Sequence, residues 1–268
     1  MPRLDDKIII ATGGTQGVGE SAARVAAENG AAGVVICGRQ EDKGTAVAAS
    51  IEAMGCSALY VRADLSIPDD CRNVVKQCDQ RFGRVDGVVN AAADTNRGTL
   101  DDTTVEFWDY LFAVNVRAPF LVTQEAARIM KRENTGGSIV NILSVAGHCG
   151  LPILAAYSST KGALQTFTKN CANALRADRI RVNGINLGWT DTPAEQVVQR
   201  KQGRPENWLE LAEADSPFGR LIKSVDVGRL CAYFLSDESG VVTGSLMDYS
   251  QRVVGAWTTP NLNRPKET

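Results

Sequence analysis

Short apolar runs alternate along the chain with longer stretches whose apolar residues recur at helical spacing. The apolar runs predict seven strands, which read KIIIATGG, GVVICGR, SALYVRADLS, VDGVVNAAA, GGSIVNILS, IRVNGINLG and GSLMDYS. Strands with so few polar positions are typical of a parallel sheet that is buried on both faces. The alternation therefore predicts an α/β fold, with a doubly wound, mostly parallel seven-stranded sheet and helices on both of its faces.

The intervening stretches predict helices over GESAARVAAENG, which ends at Gly30, and over residues 43–54, 69–82, 103–132 and 156–176. No shift in composition marks a boundary, so residues 1–268 are predicted to form a single domain. Residues 190–222 interrupt the alternation with three prolines and Trp208, which favours a substrate loop. A surface excursion without a role is the alternative. The polar tail after about residue 257 is predicted to be mobile.

Composition argues against several classes of function. The 268 residues carry a net charge of −2, without the basic surplus of a nucleic-acid-binding protein. No apolar run reaches the about 18 residues of a membrane-spanning helix, and MPRLDDKIII lacks the apolar segment of a secretory leader. The seven cysteines form no C-x-x-C pair and there is one histidine. These features predict a cytoplasmic protein with reduced thiols and no metal site.

A glycine-rich turn joins the first strand to the first helix, and residues 12–19 read TGGTQGVG. Gly13 permits a tight turn, Gly17 lets the backbone approach a ligand, and Gly19 lets the helix pack closely on the strand. The free N–H groups at the start of a helix suit a pyrophosphate. In its setting of strand, turn and helix, this motif predicts a dinucleotide site.

The end of the second strand, VVICGR, predicts which dinucleotide is preferred. Folds that bind NAD usually carry an acidic residue about 20 residues past the glycines, where it holds the ribose 2′-hydroxyl. Gly38 and Arg39 stand there instead, and an arginine can pair with a 2′-phosphate. We therefore predict a preference for NADP(H), with NAD(H) possible. The alternative is a solvated Arg39 that only ends the strand.

The segment AAYSSTKGAL, residues 155–164, places Tyr157 and Lys161 on one helix face. A free tyrosine has a pKa near 10, and a nearby ammonium is expected to lower it toward neutrality. Ser144, at the end of SIVNILS, could hold a substrate oxygen at the carboxyl edge of the sheet. Asn115 lies within a long predicted helix, where a buried amide is either a satisfied core group or a link in a proton path.

Together these residues resemble the short-chain dehydrogenase/reductase family in its single-domain form, which has a Rossmann-type fold. The resemblance covers about residues 5–250 and rests on a combination of motifs. These are TGGTQGVG, Asp64-Leu65, Asn90-Ala91-Ala92-Ala93, Asn115, Ser144 and the Tyr157/Lys161 pair. Three segments depart from the family pattern: the NAAA turn, Leu187-Gly188 where Pro-Gly is usual, and Asp248-Tyr249-Ser250 where Asp-Gly-Gly is usual.

The resemblance implies a role for each matching position. Tyr157 would be the general acid and base, Lys161 would lower its pKa and hold the nicotinamide ribose, Ser144 would orient the substrate oxygen, and Asn115 would hold a water that links Lys161 to solvent. The cofactor would lie along Gly13, Thr15, Gln16, Gly17, Val18, Gly19, Gly38, Arg39, Asp64, Leu65, Asn90, Ala91, Ala92, Gly188, Thr190 and Thr192. The implied activity is hydride transfer between the nicotinamide and a carbonyl or secondary alcohol.

Polar and aromatic residues near the expected pocket predict a small sugar or polyol as substrate. His148 and Trp189 are the candidate substrate contacts, and Asp94, Asn96 and Arg97 follow the fourth strand toward the pocket mouth. Either group could instead be structural: a hydrogen-bonded surface histidine or an ordinary polar loop.

Two other functions remain open at this stage. The first is reduction of a 3-oxoacyl thioester, for which Arg128, Lys131 and Arg132 are candidates to bind an acidic carrier protein. The second is a nucleotide-binding regulatory module without catalysis, against which the intact Ser144, Tyr157 and Lys161 argue. In the family, helices corresponding to 103–132 and 156–176 form subunit contacts, which implies a homotetramer or homodimer.

Overall fold

The computed structural model describes residues 3–148 and 150–256, so the predicted tail lies outside the described residues. The strands in this part are β1 Ile8–Thr12, β2 Gly33–Gly38, β3 Ser57–Arg62, β4 Gly87–Asn90, β5 Gly137–Ser144, β6 Ile180–Leu187, β7 Thr190–Asp191, β8 Ile222–Lys223 and β9 Leu246–Tyr249. Seven of them form one sheet in the order β3-β2-β1-β4-β5-β6-β9, with every neighbouring pair parallel. The predicted doubly wound, seven-stranded sheet is confirmed.

The helices cover both faces of this sheet. They are α1 Gly17–Glu28, α2 Glu41–Glu52, α3 Pro68–Phe82, α4 Val105–Phe112, α5 Ala118–Glu133, α6 Ala155–Leu175, α7 Pro193–Lys201, α8 Trp208–Ala214 and α9 Ser224–Leu235. Over the described ranges, none of them has both the length and the apolar character to cross a membrane.

Alternate residues of β1 show how the core is divided. Ile9 belongs to an apolar cluster with residues of α1 and α9, and Ile10 belongs to a second cluster with residues of α3 and α5. Successive side chains of a strand point to opposite faces, so a strand that is apolar at every position is buried on both. This explains why the strand sequences lack the alternation of a half-exposed sheet.

The predicted helix over residues 103–132 is interrupted, which corrects the sequence-based interpretation. A π-helical segment, Ala113–Arg117, separates α4 from α5 and contains Asn115. Pro119 has no N–H, so it cannot donate the regular helical hydrogen bond to the carbonyl of Asn115, four residues earlier. A local widening of the helix at this point is the physical consequence, and such widenings are frequent at functional sites.

Residues 190–222, predicted as a loop, contain regular structure. Strands β7 and β8 close the segment by pairing in parallel, with Thr190 beside Ile222 and Asp191 beside Lys223. Helices α7 and α8 lie between them. Because the strands have two residues each and the helices are short, the hydrophobic pattern carries too few repeats to reveal them.

Candidate active site

The carboxyl ends of the central strands surround a cavity of about 1110 Å³. A doubly wound sheet places its ligand crevice at this edge, where the strand order reverses between the neighbouring strands β1 and β4. The lining includes Gly13, Thr15, Gln16, Gly17, Val18, Gly19, Gly38, Arg39, Asp64, Leu65, Ala91, Ala92, Ser144, Tyr157, Lys161, Gly188, Trp189, Thr190 and Thr192. The structure therefore brings most of the predicted site residues together, while Asn90, Asn115 and His148 are not part of the lining.

The glycine-rich turn is shaped so that only glycine fits at its main positions. Gly13 and Gly17 have positive φ angles of 66° and 61°. A Cβ on Gly19 would collide with the carbonyl of Gly13, and one on Gly13 would lie 2.8 Å from the Cα of Ala92. The turn ends at the first residue of α1, and the preceding Gln16 provides no side-chain cap. The unpaired N–H groups that begin α1 are therefore suited to a pyrophosphate.

At the far end of the cavity, Arg39 and Thr15 form the expected adenosine side. The position of Gly38 is crowded by Thr15, because a Cβ there would lie 2.7 Å from the Thr15 Cγ2. Arg39 lines the cavity, and its Nη1 lies 3.4 Å from the hydroxyl of Tyr110. The nearest acidic residue along the chain, Glu41, lies 3.9 Å from Arg62.

The turn after β4 is held by side chains from its neighbours. The Thr12 hydroxyl accepts hydrogen bonds from the backbone N–H groups of Ala91 and Ala92, at 3.1 and 3.2 Å. The Asn90 amide donates to Asn141 Oδ1 at 2.8 Å and to the Thr123 hydroxyl at 3.2 Å. The departure from the usual family sequence in this turn is thus compatible with a braced backbone.

Ser144, Tyr157 and Lys161 meet where β5 ends and α6 begins. The Lys161 ammonium donates to the carbonyl of Ile142 at 2.8 Å and lies 5.6 Å from the centre of the Tyr157 ring. Lys161 is only 2% exposed. The cluster therefore places a phenol, a hydroxyl and a buried ammonium together at the cavity wall.

The pKa of Tyr157 differs from the expectation drawn from the sequence. Burial raises the pKa of Tyr157 to about 12, and hydrogen bonding with the Ser144 side chain opposes the rise only in part. Burial also lowers the pKa of Lys161 to about 8. The expected lowering of the Tyr157 pKa fails because desolvation disfavours the phenolate, while the ammonium is directed to the Ile142 carbonyl.

Asn115 is fully hydrogen-bonded through its side chain. Its Oδ1 accepts from the Asp94 N–H at 2.8 Å, and its Nδ2 donates to the Asp94 carbonyl at 3.0 Å and to the Thr160 hydroxyl at 3.2 Å. Of the two interpretations, the satisfied core amide describes this side chain. Asn115 thereby fixes the start of the loop that carries Arg97, and its part in a proton path stays a prediction.

The residues predicted around the nicotinamide lie between β6 and α7. The Gly188 N–H donates to the Tyr249 carbonyl at 2.9 Å, and the Thr190 hydroxyl donates to the Gly188 carbonyl at 3.0 Å. Thr192 caps α7 by accepting from the Glu195 N–H at 3.1 Å. A Cβ on Gly17 would lie 3.6 Å from the Thr192 Cβ, so the start of α7 lies next to the glycine-rich turn.

The two predicted substrate contacts have different surroundings. His148 Nε2 lies 2.8 Å from Asp248 Oδ1 and 3.0 Å from Asn186 Nδ2, outside the cavity lining. This agrees with the structural alternative for His148. Trp189 lines the cavity, is 45% exposed and stacks on Trp208 with 6.0 Å between ring centres.

Glu195 is a cavity residue that the sequence did not indicate. One of its carboxylate oxygens, Oε1, accepts from Arg97 Nη2 at 3.0 Å, from Trp189 Nε1 at 2.9 Å and from Gln199 Nε2 at 2.6 Å. In the sequence, T-P-A-E reads as the start of a helix, where an acidic residue is ordinary. Its partner Arg97 is 98 residues away along the chain, so no local pattern could have revealed the pair.

Among residues 3–148 and 150–256, no three His, Cys, Asp or Glu side chains are grouped so that they could hold a metal ion.

Comparison with known proteins agrees with this geometry. A family model described as "Enoyl-(Acyl carrier protein) reductase" matches residues 13–249. The NADP-dependent (R)-specific alcohol dehydrogenase of Lentilactobacillus kefiri is 34% identical over 245 residues, which cover 91% of this chain and 94% of the relative. The cyclopentanol dehydrogenase of Comamonas sp. is 32% identical, over 91% of this chain and 96% of the relative. An actinorhodin polyketide ketoreductase solved with NADPH is 26% identical, with a TM-score of 0.86 and coverage of 94% and 98%.

Fold and site define an oxidoreductase of the dinucleotide-binding α/β class. With the family model matched over most of its length, the chain belongs to the short-chain dehydrogenase/reductase family.

Proposed function

We propose that this enzyme uses NADP(H) to interconvert a carbonyl and a secondary alcohol on a small polyhydroxylated substrate, such as a sugar or polyol. The observation that carries the proposal is the placement of Ser144, Tyr157 and Lys161 in one cavity with the glycine-rich turn. When bound, the nicotinamide supplies or accepts the hydride.

Each residue of the cluster then has a distinct task. Ser144 and Tyr157 hold the substrate oxygen by hydrogen bonds from their hydroxyl groups. With its pKa raised to about 12, Tyr157 is protonated at neutral pH and can donate its proton to a carbonyl oxygen. We therefore propose that Tyr157 acts as the general acid when the carbonyl is reduced. The buried ammonium of Lys161 stabilises negative charge that develops on the phenol oxygen and binds the ribose hydroxyl groups.

The preference for NADP(H) is supported by Arg39. Its guanidinium lines the cavity, and no carboxylate within the described residues forms an ion pair with it. It is therefore available to a 2′-phosphate, with Thr15 beside it. The similarity to an NADP-dependent alcohol dehydrogenase and to a ketoreductase solved with NADPH supports the same cofactor.

Surface charge argues against the thioester alternative. Arg128 pairs with Glu125 at 2.7 Å, Lys131 with Asp178 at 2.8 Å, and Arg132 with Asp79 at 2.7 Å. Since all three cations already have acidic partners, they form no free basic patch for an acidic carrier protein. A purely regulatory module is disfavoured because Ser144, Tyr157 and Lys161 are assembled at the cavity.

We further propose that residues 1–268 form one cytoplasmic domain in which residues 190–222 cover the substrate, and that the protein forms dimers or tetramers. Trp108 on α4 and Phe120 on α5 are 39% and 41% exposed, and Phe120 contacts Phe167 on α6 edge to face. Large aromatic side chains exposed on these helices are suited to burial between subunits. A monomeric mass by light scattering would refute the assembly.

The function is tested by absorbance at 340 nm with a panel of ketoses, polyols, simple alcohols and 3-oxoacyl thioesters, each with NADP(H) and NAD(H). Tyr157→Phe removes the proton donor, so turnover is expected to fall by roughly 10²–10⁴-fold while NADPH still binds. Tyr233→Phe, the same substitution on α9 outside the cavity lining, is the control. Activity confined to the thioesters would overturn the proposed substrate class.

A further inference from the structure

Glu195 presents a carboxylate to the cavity with its two oxygens in different situations. Oε1 accepts three hydrogen bonds, from Arg97, Trp189 and Gln199. Oε2 receives none from the described residues, and Glu195 is part of the cavity lining. Since the whole residue is only 9% exposed, the free oxygen has little access to solvent other than through the cavity.

Three donors on one oxygen hold this carboxylate in a fixed orientation. The donors come from the loop after β4, from the residue after β6 and from α7 itself, so the carboxylate joins three separate segments. A group locked by its neighbours in this way presents its remaining lone pairs in a defined direction. The remaining hydrogen-bonding capacity of Glu195 is that of an acceptor, and an ionised carboxylate cannot donate.

The carboxylate lies in the same part of the cavity as the reacting groups. Glu195 and Arg97 are charged residues whose fields reach the Tyr157 hydroxyl: burial is the main cause of its raised pKa, Glu195 raises it further and Arg97 lowers it. Trp189, which donates to Glu195, forms part of the same wall. A substrate whose oxygen contacts Ser144 and Tyr157 therefore occupies a cavity that Glu195 also lines.

We propose that Glu195 Oε2 accepts a hydrogen bond from a second hydroxyl group of the substrate, close to the reacting carbon. The inference rests on the proposed function and narrows its substrate class to diols and the corresponding hydroxy ketones. Arg97 neutralises the carboxylate, so the pair has no net positive charge with which to attract an acidic substrate. A simple alcohol would leave Oε2 without its partner.

Binding to the Tyr157→Phe protein with NADP⁺ tests the inference without turnover. The probes are trans-cyclohexane-1,2-diol, its 2-methoxy analogue and cyclohexanol, measured by titration calorimetry. The methoxy compound keeps the second oxygen but has no hydrogen to donate from it. A hydrogen bond to a charged acceptor predicts that the diol binds about tenfold to a hundredfold more tightly than either analogue.

Glu195→Gln, added to this protein, supplies the second measurement. The glutamine oxygen can keep the three protein donors, which turns an NH₂ group toward the cavity in place of Oε2. The diol and the methoxy compound should then bind equally well, and both more tightly than cyclohexanol. Glu210→Gln, an exposed acid on α8 of the same segment, should leave the order of the three probes unchanged.

The outcomes separate the inference from the proposed function. Equal binding of diol and methoxy compound with Glu195 in place would overturn the inference, while reduction of a ketose or oxidation of a polyol by the wild-type protein would preserve the proposed function. If none of the probes binds and no alcohol or ketone is turned over, although NADPH binds, both fail together. Should Glu195→Gln not fold, the comparison of the diol with the methoxy compound still decides the question.

Discussion

The two ends of the cavity are lined by different kinds of groups. At the cofactor end, the shape comes from backbone and small residues: two glycines with positive φ, and a third at which any Cβ would collide with a neighbouring carbonyl. At the substrate end, it comes from long polar side chains, in which Glu195 joins Arg97, Trp189 and Gln199. In the proposed function, the first end binds a group common to all dinucleotides, and the second differs from one substrate to another.

This difference determines how each end should respond to substitution. A backbone site fails when any side chain is added, because nothing in it can move aside. A site made of side-chain hydrogen bonds should lose affinity in steps, one donor at a time, while the fold persists.

The largest effect is expected from a single methyl group at the cofactor end. Gly19→Ala places a Cβ against the carbonyl of Gly13, so α1 must shift away from the turn. We expect NADPH affinity to fall by more than about a hundredfold and the melting temperature to drop, since forced overpacking costs roughly 1–3 kcal/mol. Both are measured by NADPH fluorescence titration and thermal unfolding.

The same substitution in α6 is the matched control. Gly162 is also a helical glycine, but its added Cβ would meet only the Gly147 carbonyl, at an ordinary 3.5 Å. Gly162→Ala should raise stability by about 0.5–1 kcal/mol, because alanine favours helices. If both substitutions change the stability of the protein in the same direction, the backbone of the turn does not have the rigidity assigned to it.

A smaller effect on cofactor affinity is expected from Arg39, the charged side chain that we propose distinguishes NADP(H) from NAD(H). Arg39→Gln removes the guanidinium that we assign to the 2′-phosphate, and the ratio of NADPH to NADH affinity should fall by about 10–100-fold. Arg62→Gln is the control, because Arg62 is exposed on the next strand and lies near Glu41. An unchanged ratio in Arg39→Gln would show that Arg39 only ends its strand.

The contrast between the two ends also explains what the sequence could predict. The glycine-rich turn could be predicted from the sequence because all of its parts lie within residues 12–19. The sheet could be predicted because each strand is apolar by itself. Glu195 could not be predicted as a site residue from the sequence. Its place in the site depends on Arg97, which is distant along the chain and near in space. A structural requirement within one short segment produces a recognisable sequence motif. A contact between two residues that are distant along the chain produces no such motif in a single sequence.

Two further misses have the same kind of cause. The π-helical interruption at Asn115 was in principle visible from Pro119, but an apolar helix pattern on both sides concealed it. The rise in the Tyr157 pKa required knowledge of burial, which depends on every element around the cavity. A pair of titratable residues at helical spacing predicts that they are neighbours, and it does not predict which electrostatic effect dominates.

At the substrate end, removal of one donor should have a graded effect. Trp189→Phe keeps a ring that can stack on Trp208 but loses the N–H that donates to Glu195. We expect the KM for a diol substrate to rise about tenfold, the equivalent of 1.4 kcal/mol, with kcat nearly unchanged. Tyr233→Phe, on α9 outside the cavity lining, is the control. A fall in NADPH affinity instead would mean that the two ends are not independent.

Lys161 lies between the two ends of the cavity. Its effect on the free energy of unfolding should be the smallest of those predicted and should depend on pH. Because its pKa is lowered to about 8 from an ordinary value of 10.5, the unfolded chain binds more protons than the folded protein above pH 8. The resulting penalty on folding is fully present below pH 8 and is relieved as the pH rises toward 10.5.

Relative to Lys161→Met, the wild-type protein should therefore gain about 1 kcal/mol of stability between pH 7 and pH 9. Urea unfolding at the two pH values measures this difference, to which the buried thiols of Cys37 and Cys231, whose pKa is raised to about 12 in both proteins, contribute equally. A constant difference between the two proteins would mean that Lys161 keeps its charge at ordinary cost, and that the boundary between the two ends is as well solvated as the surface.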